Sequence, residues 1–481
     1  MNKRTLIFPA LLFFLLSTLG IYHGQGQNPA TVIILHTNDM HARIDNMAKL
    51  AYLADSLHKL NPNVFLVAAG DNFTGNPNVD MVPDKGFPMI DLMNHCGFKV
   101  SAVGNHEFDM GQEFLHKRFQ QARFPFVCSN LDASGALLGT VKPYVVLGAD
   151  NGDSIVLLGL IQLDDNGLPS SIPTHMTGIR FTAGLTAARE YAWLKKHYGN
   201  LIALSHLGVE DDVKLADSMA QFDLIIGGHS HTLLEKPRIE NGVMIVQAGS
   251  YLKYVGKTTF RIDHGKISNL HDELISFESL KPENGEVHSL IDRYSNNKEF
   301  DQVVGTAEKP VEGLDQLGSL MTDAITSQLK VDFAFQNKGG IRIPSLSEGN
   351  ITLRDIFKLD PFNNQVVLFS MTVDEIKSLI CYGYQHEKEI DLQVSGMNYR
   401  ITDNGKKQCA QVEVFDKSGK ALDPTHEYSV AMNNYIASAY KFDHKDPGTI
   451  TKVNTNDALI SYLREVKKVN YMGTKRATVV N

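Results

Sequence analysis

The sequence predicts an α/β protein of two domains joined by a helix, and three features carry that expectation. Short apolar runs alternate with amphipathic helical stretches from residue 31 to about 260. The pattern then changes after about residue 275, where Glu286–Asn296 sets Val287, Leu290 and Ile291 at helical spacing among charged neighbours. A chain of 481 residues also has material for more than one core, at roughly 100–200 residues per domain. Hydrophobic residues make up 43% and charged ones 21%, an ordinary globular balance that excludes a disordered chain. The net charge of -8 provides no cationic field for a nucleic acid polymer, so any phosphate must be caught by local chemistry.

The elements can be taken in chain order. Lys3 and Arg4 precede an apolar run from Leu6 to Tyr22 and a small, polar stretch from Gly24 to Pro29, the layout of a signal peptide over residues 1–27. A retained membrane anchor is the competing reading of that run, weakened by Pro9 and by its length. The expected product is exported, periplasmic or extracellular, with no stable membrane insertion once the leader is removed. Val32–Leu35, Val64–Ala68, Val100–Val103, Leu201–Leu204, Leu224–Ile226 and Val243–Val246 read as buried strands, with helices at Met47–Leu60 and Gln112–Gln121 between them. The first domain is placed at 28–280, the linker helix at 281–300 and a second α/β domain at 301–481. Cys96, Cys128, Cys381 and Cys409 form neither a disulfide framework nor a paired zinc-ribbon spacing, and their pairing stays open.

The residues at the end of each strand carry the chemistry. The endings are His36-Thr37-Asn38-Asp39-Met40-His41, Gly70-Asp71-Asn72, Gly104-Asn105-His106-Glu107-Phe108-Asp109, Ser205-His206 and Gly227-Gly228-His229-Ser230-His231. Ligands gather outside the carboxyl ends of strands in α/β sheets, so five such loops can converge on one point. Asp39-x-His41 and His229-x-His231 can each turn two ligands to one side. A carboxylate can bridge two cations where a neutral imidazole cannot, and Asp71 is the candidate. Each ending alone is an ordinary turn or cap; five in one domain point to a pair of divalent ions. Such a pair hydrolyses phosphate esters, and His106 held by Asp109 suits the charge on the leaving group. For Asp109 the alternative is a helix N-cap.

These endings, in this order, resemble the calcineurin-like dimetal phosphoesterases and, in the strings around Asp39 and His106, the secreted 5′-nucleotidase family. The resemblance covers nearly the whole chain after the leader. It implies a four-layer αββα metallophosphoesterase domain, a linker helix that serves as a hinge, and a C-terminal nucleotide-recognition domain. It implies one ion on Asp39, His41, Asp71 and His231 and a second on Asp71, Asn105, His206 and His229, with His106 and Asp109 as catalytic pair. Relatives often carry Gln or Asn where His231 stands. Zn or Mn is expected, with Co, Ni or Mg as further candidates.

In the second half, Asn337-Lys338-Gly339-Gly340-Ile341-Arg342 resembles the family's phosphate-proximal turn, and Asn337, Gly340 and Arg342 become substrate-binding candidates. A guanidinium fork beside a Gly-Gly turn suits an oxyanion; a solvated surface arginine is the plainer reading. Pro361-Phe362-Asn363-Asn364 and Asn433-Asn434-Tyr435 resemble the segments whose rings hold the base, nominating Phe362 and Tyr435, either of which would otherwise read as core. Two features depart from the family. Val311 and Glu312 stand where relatives place a second arginine, and Tyr435 is followed by Ile436-Ala437-Ser438-Ala439-Tyr440 instead of a Gly-Gly-Asp that holds the ribose. The expected activity is removal of phosphate from nucleoside 5′-monophosphates by a metal-bridging hydroxide. The alternatives are a 2′,3′-cyclic-nucleotide phosphodiesterase, a nucleotide-sugar hydrolase and a non-catalytic exported binding protein.

Overall fold

The computed structural model describes residues 28–480, so the leader expected at 1–27 lies outside the described residues. Two six-stranded sheets face each other in the first domain. One runs in the order Lys266–Ser276, Tyr254–Asp263, Ala30–Thr37, Val64–Ala68, Phe98–Ala102, Phe126–Val127. The other runs Arg238–Glu240, Val243–Val246, Leu224–Ile226, Ile202–His206, Ser154–Ile161, Tyr144–Gly148. Within Ala30–Thr37, Val32 and Ile34 point into the core between the sheets, with Val67, Leu204 and Ile226. Ile33 and Leu35 point the other way, to a core shared with Met47, Leu50 and Ile90 of the covering helices. Strands buried on both faces need apolar side chains at every position, which is why they read as unbroken runs. Leu194 and Leu215 cover the outer face of the second sheet, completing the expected αββα layering. The long hairpin Tyr254–Ser276 was not anticipated; Tyr254–Asp263 pairs antiparallel with Ala30–Thr37 and extends the first sheet on that side.

The helix expected as a bridge is Gly285–Ser295, capped by the Asn284 side chain on the amides of Glu286 and Val287. It does not stand free between domains. Val287 and Ile291 belong to the first domain's core, and the Tyr294 hydroxyl donates to Asp91 at 2.6 Å. The chain crosses over after Ser295, and the second domain opens with the strand Val303–Ala307. Its central sheet orders Leu392–Ser395, Phe333–Asn337, Tyr428–Asn433, Gln365–Met371, Thr449–Asn454. Helix Val373–Glu387 packs on one face through Ile376 and Leu379. Ile325 and Ala458, from helices Gly313–Leu329 and Thr455–Val466, cover the other. Cys381 on helix Val373–Glu387 is bonded to Cys409, with Cα atoms 5.5 Å apart, while Cys96 and Cys128 are buried thiols. The parallel strands Phe333–Asn337 and Tyr428–Asn433 end side by side, and Asn433 Nδ2 donates to Asn337 Oδ1 at 2.9 Å.

Candidate metal centre and substrate cleft

Backbone conformation marks the centre before any side chain does. Asp39, His41, Asp71, His229 and His231 all adopt positive φ, between 46° and 73°. Residues with a Cβ seldom adopt this conformation, and it costs of order 1–3 kcal/mol each unless the surroundings impose it. Here the surroundings do. The Asp39 amide donates to the Gly70 carbonyl at 3.1 Å and the His41 amide to the Asp71 carbonyl at 3.0 Å, tying two loops together. Glu107 is fully buried and accepts the amides of Asp71, Asn72 and Gly104 at 3.0, 2.8 and 2.6 Å. Gly104 is obligatory, since a Cβ there would lie 2.3 Å from Asp71 Oδ1.

The five loops converge. Ligand atoms of Asp39, His41 and His231 lie within 4.8 Å of one another, as do those of Asp71, His206 and His229, and those of His41, Asp71 and His106. His206 Nε2 is 3.1 Å from Asp71 Oδ2, and Asn105 Oδ1 lies 3.3 Å from His206 Nε2 and 3.0 Å from His229 Nδ1. His206 Nδ1 faces the Ala69 carbonyl at 2.6 Å and His41 Nδ1 the Thr74 carbonyl at 3.1 Å, so each ring's Nδ1 is held outward and its Nε2 is turned inward. Asn38 Nδ2 donates to Asp39 Oδ2 at 2.6 Å and fixes that carboxylate.

Whether this set suits divalent ions follows from its charges. Burial, and then the charge of Arg342, drive the His41 pKa well below its ordinary value. Burial and Arg342 likewise lower His231 to about 4, and burial with the charge of His206 lowers His229 to about 3, so all three are neutral donors of a lone pair. Burial opposes ionisation of Asp71, yet His206 and His106 hold it ionised, well below the usual carboxylate range. Burial pushes Asp39 up to about 7, a carboxylate in need of a cation. His41 Nε2 and His231 Nε2 sit 2.9 Å apart, and with His41 Nδ1 turned to the Thr74 carbonyl both inward nitrogens can face one cation. Burial would lower His206, but Asp71 raises it overall to about 10, so a cation bound there would take the place of its proton. Buried carboxylates with the neutral imidazoles of His41, His229 and His231 aimed inward are a fitting donor set for two ions.

His106 stands beside this cage. Its Nδ1 meets Asp109 Oδ2 at 2.6 Å, its Nε2 lies 4.0 Å from Asp71 Oδ2, and its amide donates to Asp71 Oδ1 at 2.9 Å. Burial would lower its pKa, but Asp109 and Asp71 raise it overall. Asp109 is not the N-cap of the following helix: Met110 holds that position before Gly111–Gln121, with no capping side chain. Its other oxygen takes the Ser171 hydroxyl at 3.1 Å, while Asn105 Nδ2 donates to the Ser170 carbonyl at 3.0 Å.

A cleft of about 540 Å³ opens from Asp71, Asn105, His106, His229 and His231 toward the second domain, and Asn337, Gly340, Arg342, Phe362 and Tyr435 all line its opposite wall. Arg342 Nη2 lies 3.1 Å from both ring nitrogens of His41 across the domain boundary, which rules out a solvated surface arginine. Its Nε is buried without a partner. The Phe362 ring sits 5.6 Å from that of His106 and 5.7 Å from the Arg342 guanidinium. Val311 is buried in a short strand paired with Leu346, away from the cleft lining, and among the described residues Arg342 is the only arginine in that lining. Sequence reasoning assigned no role to Glu107, Asp164, Ser171, Asp391 or Tyr440. Glu107 sat inside a recognised string and Tyr440 in the stretch that departs from the family; the others are single polar residues in loops without a motif.

Comparisons with known proteins agree with the two-part architecture. Residues 32–233 match the family model of the calcineurin-like phosphoesterases, and residues 301–442 match that of the 5′-nucleotidase C-terminal domain. The chain is 26% identical to the trifunctional nucleotide phosphoesterase protein YfkN of Bacillus subtilis, over 84% of this chain and 32% of that protein, so it spans about a third of that relative's length. It is 27% identical to the 5′-nucleotidase of Bos taurus, over 91% of this chain and 88% of that one. Among solved structures, the 5′-nucleotidase precursor from Thermus thermophilus superposes with a TM-score of 0.82 at 26% identity, covering 94% of this chain and 99% of that one.

Proposed function

This chain belongs to the 5′-nucleotidase family, a calcineurin-like phosphoesterase domain followed by a 5′-nucleotidase C-terminal domain, and from that premise we propose that it is an exported phosphoric monoester hydrolase acting on nucleoside 5′-monophosphates. One observation carries the reading: a single cleft has a cage of imidazoles and carboxylates at one end, and Arg342, Phe362 and Tyr435 on the wall supplied by the other domain. Asp39, His41, Asp71 and His231 would hold one divalent ion, and Asp71, Asn105, His206 and His229 the other. Two divalent ions so bound would neutralise phosphoryl charge and acidify a water enough to attack phosphorus at neutral pH.

The chain's own residues supply the remainder. Asp71, kept ionised, faces both groups of ligands. His106, protonated and oriented by Asp109, can donate from Nε2 to the charge that grows on the leaving oxygen. Arg342 has an unpartnered Nε for a phosphate oxygen. Phe362 and Tyr435 offer rings to a base, where stacking is worth about 1–3 kcal/mol. The Cys381–Cys409 bond supports an oxidising compartment, and no described helix is long and apolar enough to cross a membrane. Phosphate release from AMP, measured with EDTA and after restoring Zn or Mn, tests the reading; release from no nucleotide, or release indifferent to chelator, would overturn it. The single guanidinium at the phosphate end favours one second reading. A 2′,3′-cyclic diester carries less negative charge than a monoester dianion and needs fewer cationic partners, so 2′,3′-cyclic AMP belongs in the same assay.

A further inference from the structure

The wall of the cleft supplied around the Tyr435 ring is lined by Asp164, Glu387, Asp391 and Tyr440. The carboxylates differ in what they have left to offer. Lys338 Nζ engages Glu387 Oε2 at 2.5 Å, and Asp164 Oδ1 takes both the Gln162 amide at 2.6 Å and the Ser170 hydroxyl at 2.7 Å, which leaves its open sites on one oxygen alone. Asp391 is 2% exposed and is held from both sides: the Lys338 amide donates to Oδ1 at 3.1 Å and the Tyr440 hydroxyl to Oδ2 at 2.6 Å. An ionised carboxylate accepts about four hydrogen bonds, so each Asp391 oxygen retains one site. Tyr440 also meets the Tyr435 ring edge-on at 6.0 Å, which places the Asp391–Tyr440 pair beside the proposed base-binding ring.

We propose that Asp391, oriented by Tyr440, is the specificity residue for the sugar, accepting the two hydroxyls of a ribose vicinal diol. The inference rests on the nucleotidase reading above. Two adjacent hydroxyls present two donors at the spacing of one carboxylate's oxygens, and a 2′-deoxyribose presents only one. The neighbouring Asp164 and Glu387 also oppose a phosphate on the 2′ or 3′ oxygen, so the substrate class is a ribonucleoside 5′-monophosphate with a free diol.

The experiment compares kcat/KM for AMP, 2′-deoxy-AMP and phenyl phosphate in the metal-loaded wild type, Asp391→Asn and Tyr440→Phe. The wild type should prefer AMP over 2′-deoxy-AMP at least tenfold. In Asp391→Asn that ratio should fall toward one, chiefly through KM, and AMP should lose at least tenfold more than phenyl phosphate does. In Tyr440→Phe the ratio should fall several-fold, which keeps the test decisive if the first variant fails to fold. A wild type that treats AMP and 2′-deoxy-AMP alike, or a ratio unchanged in either folded variant, overturns the role of Asp391. A wild type that cleaves phenyl phosphate but no nucleotide overturns the nucleotidase reading itself.

Discussion

Removing the Glu107 carboxylate should loosen the loop that carries Asp71. Four donors converge on it: the amides of Asp71, Asn72 and Gly104 at 2.6–3.0 Å, and Asn72 Nδ2 at 2.9 Å. All are buried, so Glu107→Leu leaves the three amides without an acceptor and without water, while Asn72 Nδ2 keeps its bond to Ser101 Oγ at 2.9 Å. An orphaned buried donor costs about 1–3 kcal/mol, which makes about 3 kcal/mol a lower bound for the three together. Glu107→Gln keeps the shape and one acceptor oxygen but turns an NH2 group against an N–H, and should cost about 2–4 kcal/mol. Against a typical total of about 5–15 kcal/mol, either loss moves a urea midpoint measurably. The same loop holds Asp71 at φ 54°, so calorimetric titration of metal-free protein with Zn or Mn should show weakened binding in the glutamine variant. An unchanged urea midpoint together with unchanged metal affinity would refute the reasoning.

Other outcomes rest on the same geometry. Asp71→Ala should abolish turnover and lower metal stoichiometry, by elemental analysis, to one ion per chain or fewer, because both proposed ions lose a ligand; near-normal activity would remove the bridging role. Arg342→Lys should raise KM for AMP about tenfold or more with little change in fold, since an ammonium lacks the bidentate fork. Burial pushes Asp360, which steadies the turn presenting Phe362, up to about 6, with the Thr455 hydroxyl bond opposing. A raised carboxyl pKa contributes stability that is fully present below the unfolded value of 3.8 and lost as pH rises through about 6. The loss is about 3 kcal/mol at most, so Asp360→Asn should gain stability relative to wild type between pH 4 and pH 8 in denaturant titrations. The Cys381–Cys409 bond closes a loop with a sequence separation of 28, and breaking it by reduction or by a double serine variant should cost about 3–4 kcal/mol in the same measurement.

The strand cores and the metal ligands were legible in the sequence for a shared reason. A strand buried on both faces must be apolar at every position, so Val64–Ala68, Leu224–Ile226 and Val243–Val246 appear with their observed bounds. Ligands at strand ends must be His, Asp or Asn beside glycine, so the five loop strings stand out from their surroundings. Hairpin Tyr254–Ser276 was missed because its outer strand Lys266–Ser276 is half-exposed and polar, with only weak alternation to announce it. The linker helix was recognised as a helix but not as part of the first domain's core, because its apolar stripe does not say which partner it meets.

Composition and local pattern thus determined the α/β class, the two-part organisation and the residue types of the cage, since these depend on what each segment must bury or bind by itself. Tertiary structure alone decided that Arg342 from one domain reaches His41 from the other. It likewise decided that Ser171 holds Asp109 and that Asp391 and Tyr440 meet at the far wall. Those pairs are separated by between 49 and 301 positions, and no local propensity records a contact that exists only after distant loops have packed together.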